Sequence, residues 1–370
     1  MMSVTTFAPG RVEVLGNHTD YNDGFVLSAA IHLGVTTNAV QIPEVELRVS
    51  SQTNRRNVRV PLGNLHRLET DGWANYPIGV ISTLQHAGFQ LGGMELEISS
   101  DLPVGAGLSS SAALEVSTAM ATKTIFDLAI APMELAKLCQ KAENEFVGVQ
   151  CGLLDHVSSV FGRADSLILI DFQTLTVETV PLPEHLDLLL FNSGVPHELV
   201  GGEYNERRQQ CARAAKLLHV STLRELTPAQ VRNAVLDDVI RRRALHITEE
   251  NERVLQGVAA LRSGHIERFG ELMFASHQSS QVNFENSTRY LDTLVDLVRG
   301  LPGVFGARLT GGGFGGSIVC LIQPEHAAEI IETVAKRYHE LTGATCSPIL
   351  TEPSQGARLV QGFRSSICNC

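Results

Sequence analysis

LPVGAGLSSSAALE, residues 102–115, sets a glycine-rich turn directly against an alanine-rich run. Gly105 and Gly107 can take backbone angles closed to other residues and can bring N–H groups close to an anion. Ser109, Ser110 and Ser111 stand where the following helix should begin, and a helix N-terminus adds partial positive charge. Gly105, Ala106, Gly107, Leu108 and the three serines therefore make a phosphate cradle in principle. It is not a P-loop, because no Lys-Ser/Thr ending puts an ammonium on the phosphates. The serines have two readings, as helix caps and as ligands for Mg²⁺, and both stand at this point.

Upstream, residues 4–50 read as strands: VTTFAPGRVEVLG, GFVLSAAI, GVTTNAVQI and VELRVSS. WANYPIGVISTLQHAGF has a helical apolar period and GMELEISSDLP alternates like a strand. Downstream, MELAKLCQKAENEFVG and CGLLDHVSSVFG read as helices, then SLILIDFQTLTVETVPL and LDLLLFNSG as strands. Residues 200–300 read as mainly helical. GVFGARLTGGGFGGSIVCLI returns to strands, and AAEIIETVAKRYHELTG is a helix ending on its stop glycine. The change from mixed to mainly helical puts a domain boundary near residues 175–190.

Composition bounds the function. The 370 residues are 44% hydrophobic and 19% charged, an ordinary globular balance long enough for two domains. A formal net charge of −11 argues against nonspecific nucleic-acid binding, which needs a basic face. The start has no basic segment leading into an apolar run, and no stretch has the length of a membrane span, so a cytoplasmic chain is expected. Seven cysteines without zinc-finger spacing read as free thiols, and the tail pair Cys368 and Cys370 as incidental.

Two more segments carry chemistry. GRVEVLGNHTDYNDGFVLS, residues 10–28, packs Arg11, Asn17, His18, Asp20 and Asp23 between apolar strands. Asn22-Asp23-Gly24 is a turn signal, but a turn does not account for Arg11, Asn17, His18 and Asp20, a set more typical of a site. AENEFVGVQCGLLDH offers Glu143 and Asp155 among apolar residues. One carboxylate suits nucleotide-bound Mg²⁺, and the other suits acceptance of a hydroxyl proton. Glu143 also reads as a solvated helix residue, whereas Asp155 between Leu154 and Val157 needs partners. LTGGGFGGS, residues 309–317, satisfies Gly-x-Gly-x-x-Gly, but a strand follows it where a dinucleotide site opens a helix. Such a run before a strand marks close backbone approach, to a ligand or to another loop.

In this order, GRVEVLGNHTDYNDGFVL, LPVGAGLSSSAALE and LTGGGFGGS resemble the three motifs of the GHMP kinase superfamily and, within it, of the galactokinase family. AENEFVG, CGLLD, HELVGGEYNERRQQC and the late PSQGA extend the resemblance over nearly the whole chain. The resemblance implies an α+β fold of two domains, residues 1–180 like ribosomal protein S5 and residues 181–370 ferredoxin-like, with the site in the cleft between them. It implies transfer of the ATP γ-phosphoryl group to the anomeric hydroxyl of galactose. By motif, Asp155 would be the catalytic carboxylate, and Arg11 would orient it and stabilise the transferring group. Asn17, His18, Asp20, the backbone at Gly152 and Tyr204 would hold the sugar. Residues 105–111 would wrap the phosphates, and Ser111 and Glu143 would hold Mg²⁺. The partners implied are a small sugar and ATP, with a monomer favoured.

The chain departs from the family pattern twice. Glu is usual where Asn17 stands, and Gln where His156 stands. Asn17 brings in galacturonate or N-acetylgalactosamine as alternative substrates, since its amide donors suit a C6 carboxylate that Glu would repel. His156 reads as a packing residue or as a modulator of Asp155. A noncatalytic sugar sensor is the remaining alternative, and the complete GLSSSAAL loop with Arg11, Glu143 and Asp155 favours the enzyme.

Overall fold

Alternating apolar positions in the N-terminal third build one large sheet. The computed structural model describes residues 2–53, 55–103, 105–195 and 200–364. His197, Glu198 and Leu199 of the quoted motif, Val104 of the glycine loop, and the Cys368 and Cys370 pair lie outside the described residues. Strands β1 (Met2–Leu15), β2 (Phe25–Gln41), β3 (Glu46–Ser51), β4 (Arg56–Pro61) and β5 (Met94–Ser100) run β1-β2-β5-β3-β4 across it. The far end of β2 pairs instead with β6 (Ser166–Asp171), which pairs with β7 (Thr176–Pro181).

The second sheet begins at β8 (Asp187–Asn192) and takes β9 (Val304–Thr310), β10 (Ser317–Ile322) and β11 (Ser347–Thr351) in the antiparallel order β11-β8-β10-β9. That order, with helices joining the outer pairs, is the ferredoxin-like arrangement. Every residue of β10 is buried, as an apolar run without alternation requires when both faces are covered. The final strand, β12 (Arg358–Arg364), returns to the first sheet and pairs with β1 from Met2↔Arg364 to Phe7↔Arg358. A division at 180 and 181 therefore leaves out this crossing. An edge strand is recruited by open backbone groups, wherever in the chain its partner lies.

Helices α1 (Asn75–His86), α2 (Ser110–Ile125), α3 (Pro132–Lys141) and α4 (Leu154–Phe161) accompany the first sheet, with α2 and α4 packed on β1 and β2. Helices α5 (Val200–Leu217), α6 (Pro228–Asn233), α7 (Asp238–Arg262), α8 (Ile266–Ser279) and α9 (Arg289–Val298) fill the expected helical stretch, and α10 (Ala327–Thr342) precedes β11. MELAKLCQKAENEFVG is not one α-helix. α3 gives way at Ala142–Val147 to a π-helical turn, a widened turn found mostly at functional sites, and Glu143 is buried within it. The main core joins Val12, Val14 and Leu15 of β1 to Leu188 and Leu190 of β8 and Val319 and Leu321 of β10, so the two sheets share one apolar interior.

Candidate active site

β1 carries Arg11 past the glycine loop at close quarters. A Cβ on Gly10 would lie 2.6 Å from the Leu108 carbonyl oxygen, and the Arg11 N–H donates to that carbonyl at 3.2 Å. Gly105 and Gly107 have φ of 74° and 72°, and Ser109 has 58°, so the loop alternates through the left-handed region before α2 starts at Ser110. Ser109 makes no capping bond, and its hydroxyl is buried without a partner. Ser317 donates to the Ala106 carbonyl at 2.7 Å, which ties the second sheet's glycine cluster to this loop. The 309–317 cluster thus approaches another loop and lines a cavity with it, the two expectations for that motif.

Asp155 stands in the first turn of α4. Arg11 donates to its Oδ1 through Nε at 2.8 Å and approaches it through Nη2 at 2.6 Å. Nη1 of the same guanidinium donates to the Gly107 carbonyl at 2.8 Å. Arg11 is buried, while the Asp155 side chain keeps 27% exposure, facing the cavity. Two cavities meet here. The larger, ≈ 510 Å³, is lined by Asp20, Gly152, Tyr204 and Glu13 among others, and the smaller, ≈ 270 Å³, by the loop Gly105–Ser111 and glycines of the 309–317 cluster. Arg11, Asp155, Gly311 and Gly312 line both.

Asp20 shares the larger cavity. Burial, followed by the charges of Glu13 and Asp155, pushes its carboxyl up to about 7. A Cβ on residue 152 would lie 1.6 Å from Asp20 Oδ2, so only glycine lets the carboxylate rest on that backbone. Tyr204 projects from α5 beside Gly312 and meets Tyr21 edge-on at 5.7 Å.

His18 and Asn17 differ from expectation. The Gly312 carbonyl can only accept, so His18 Nε2 donates to it at 2.9 Å, and Nδ1 then accepts from the Tyr21 hydroxyl at 2.8 Å. Both ring nitrogens are used within the protein, and burial lowers the imidazole to about 4, holding it neutral. His18 lines the larger cavity while its ring nitrogens hold the 311–312 turn and Tyr21. Asn17 is likewise fully buried and bonded on every side.

Behind Asp155 lies a buried acidic group. Burial raises the Glu143 carboxyl, against hydrogen bonding from Cys151 and Ser111. Its burial rules out a solvated helix residue. His156 Nε2 lies 2.7 Å from Glu115 Oε2, with neither side chain exposed. Burial pushes Glu115 up and His156 down to about 4, so the pair sits neutral. Among the described residues, Glu143, Cys151 and His156 form one group whose donor atoms lie within 4.8 Å of one another. His156 is already engaged by Glu115, and burial keeps the Cys151 thiol protonated, which leaves the Glu143 carboxylate and the Ser111 hydroxyl as donors. Both are hard oxygens beside the phosphate cradle, and they fit Mg²⁺.

Sequence reasoning passed over three buried carboxylates, Glu13, Glu115 and Glu250. Glu250 of α7 accepts from Gly16 N–H at 3.0 Å, Asn17 N–H at 3.3 Å and the Ser276 hydroxyl at 2.6 Å. Burial alone would raise it, but Arg253, Arg308 and His246 hold it well below the usual range. Only Glu13 had a local signal, since strand alternation puts it on the face of β1 that carries Arg11.

Comparison with known proteins agrees with this geometry. The galactokinase galactose-binding signature matches residues 2–40, the GHMP kinase N-terminal domain residues 75–163, and the GHMP kinase C-terminal domain residues 258–340. The galactokinase of Thermotoga maritima is 40% identical over 337 residues, covering 91% of this chain and 94% of its own. The chain belongs to the galactokinase family. The galactokinase of Actinobacillus pleuropneumoniae is 39% identical over 363 residues, covering 96% of this chain and 94% of its own. Lactococcus lactis galactokinase, solved in complex with galactose, superposes with a TM-score of 0.93 at 32% identity over 96% of this chain and 95% of that one. Methanococcus jannaschii mevalonate kinase, at 20% identity and a TM-score of 0.68, shares the fold. This galactokinase-family chain has the two-part GHMP kinase fold, and its glycine loop and Asp155 both fall within the matched N-terminal domain.

Proposed function

We propose that this chain transfers the γ-phosphoryl group of ATP to the anomeric hydroxyl of galactose. The observation that carries this reading is the Arg11–Asp155 pair lining both cavities, one lined by Asp20, Gly152 and Tyr204 and the other by the glycine loop. A sugar in the larger cavity and a nucleotide in the smaller would meet at Asp155, and bringing two substrates together in line is most of what phosphoryl transfer requires. The anomeric oxygen forms its bond to the γ-phosphorus as the bond to the ADP oxygen breaks, and the hydroxyl proton passes to Asp155. Arg11 holds Asp155 in place and lends positive charge to the transferring group. Backbone N–H groups of residues 105–111 hold the phosphates at the start of α2. Ser111 and Glu143 would hold Mg²⁺ arriving with ATP, and the ion would supply positive charge to the phosphates.

Among the described residues, no helix is long and apolar enough to cross a membrane. Cys139, Cys151, Cys211, Cys320 and Cys346 are free thiols, which suits a cytoplasmic enzyme drawing on cellular ATP.

The test is ADP release with Mg-ATP and galactose, N-acetylgalactosamine, galacturonate, glucose and arabinose, with the product examined by phosphorus NMR. Galactose should give the highest kcat/KM and a phosphate on C1. ADP release independent of all five sugars, or phosphate on another carbon, overturns the reading.

A further inference from the structure

Where the resemblance to the galactokinase family implies Glu, position 17 is Asn. Its Nδ2 donates to Glu13 Oε1 at 3.0 Å and to the Gly311 carbonyl at 2.8 Å. Its Oδ1 accepts from Asn286 Nδ2 at 2.8 Å and from the Ser280 hydroxyl at 3.4 Å. Two donated and two accepted bonds exhaust an Asn side chain, so none is left for a ligand.

Glu13 is placed differently. Its Oε1 takes Asn17 and the Arg308 guanidinium, the latter at 2.8 Å. Its Oε2 makes no hydrogen bond among the described residues. The residue lines the larger cavity with Asp20 and Asp155. Arg308 is fully buried, its Nε and Nη2 have no partner, and Glu13 is the carboxylate it touches. Arg308 needs negative charge nearby, and Glu13 supplies it in direct contact while the ionised Glu250 adds to it from farther away. A second carboxylate at position 17 would face Glu13 Oε1 and the Gly311 carbonyl, acceptor against acceptor.

We propose that Glu13 is a sugar-specificity residue: its Oε2 accepts a hydrogen bond from a substrate hydroxyl, and the carboxylate of the family signature has moved four residues back, with Asn17 as its brace. This rests on the sugar-kinase reading. It also settles the choice that Asn17 raised. The Glu13 carboxylate disfavours a sugar carboxylate in that cavity, and the amide donors that would have welcomed galacturonate are occupied within the protein.

The experiment measures kcat/KM for galactose and its 2-, 3-, 4- and 6-deoxy analogues in wild type and Glu13→Gln, with melting curves for each protein. Glu13→Gln should lose about tenfold on galactose, mainly through KM, since a charged hydrogen bond becomes a neutral one. For the one analogue lacking the bonded hydroxyl, that loss should shrink to less than about twofold. An equal loss on every sugar overturns the proposal, because a merely structural role weakens all of them alike. If Glu13→Gln fails to fold for want of a charge beside Arg308, Glu13→Asp keeps the charge, withdraws the oxygen by one methylene and reads the same panel. The double variant Glu13→Asn with Asn17→Glu should recover most of the galactose activity that Asn17→Glu alone loses, and no recovery overturns the exchange of positions. If wild type does not use galactose at all, the substrate reading fails instead, and the same hydroxyl deletions on the accepted sugar decide Glu13.

Discussion

Asp155 holds two contacts from one arginine and still faces the cavity, which suits a group that must accept a proton at one moment and be held still throughout. Asp155→Asn keeps the shape and loses charge and basicity. Sugar-dependent turnover should fall about 10²–10⁴-fold, with sugar binding by calorimetry within a few-fold of wild type. Near-normal turnover would remove Asp155 from the chemistry. Asp20 invites a test with opposite signs for stability and binding. Its folded value is raised to about 7, so between the unfolded carboxylate value and 7 the native state holds a proton that the unfolded state lacks. Stability from this group is therefore present at low pH and is lost as pH rises through 7. Asp20→Asn should gain in melting temperature over wild type as pH rises, least near pH 4, more at pH 5 and most at pH 8, while sugar affinity drops at pH 8. A variant that melts lower at pH 8 contradicts the sign. Arg11, Asp20, Glu143 and Asp155 were legible in the sequence because each sits in a short polar cluster that apolar neighbours do not explain. Glu13 shares the Arg11 face of β1, but that signal is weak, because it reads as one polar step of a strand until Arg308, nearly three hundred residues away, is seen against it.

Most elements followed from local pattern, and the exceptions share a cause. β1, α2 and β10 announce themselves by alternation, by a serine-led alanine run and by an unbroken apolar stretch. The π-helical turn at Ala142–Val147 does not, since its residues would continue α3 as well as leave it. The widened turn sets Glu143 beside Cys151 and His156, contacts that come from elsewhere in the fold. That turn brings Glu143 within hydrogen-bonding reach of Ser111 at the start of α2, and Ser111 lines the smaller cavity. Glu143→Ala and Ser111→Ala should each raise the Mg²⁺ concentration needed for half-maximal turnover at fixed ATP by about tenfold or more, while galactose binding stays near wild type. Two variants with the wild-type Mg²⁺ titration would show that the cation is held elsewhere.

The molecule has two sheets, as the two halves of the sequence imply, but they are tied together by a shared core and by one returning strand. Leu188, Leu190, Val319 and Leu321 share their core with Val12, Val14 and Leu15, and β12 crosses back to β1. Residues 1–180 and 181–370 expressed apart should each lack cooperative melting, whereas the whole chain should melt in one transition. Truncation after Ala357 should lower that transition by several degrees, since it strips a whole edge strand from β1. A strand pairing across some three hundred and fifty residues leaves no trace in local periodicity, which is why the crossing was invisible beforehand. It also brings Met2 opposite Arg364. Between Met2 and Arg364 the backbone nearly closes on itself, and where that path is opened matters little to the packing inside. A circular permutant that joins these two residues through a short linker and opens at the fully exposed Val235, between α6 and α7, should keep both its fold and its turnover.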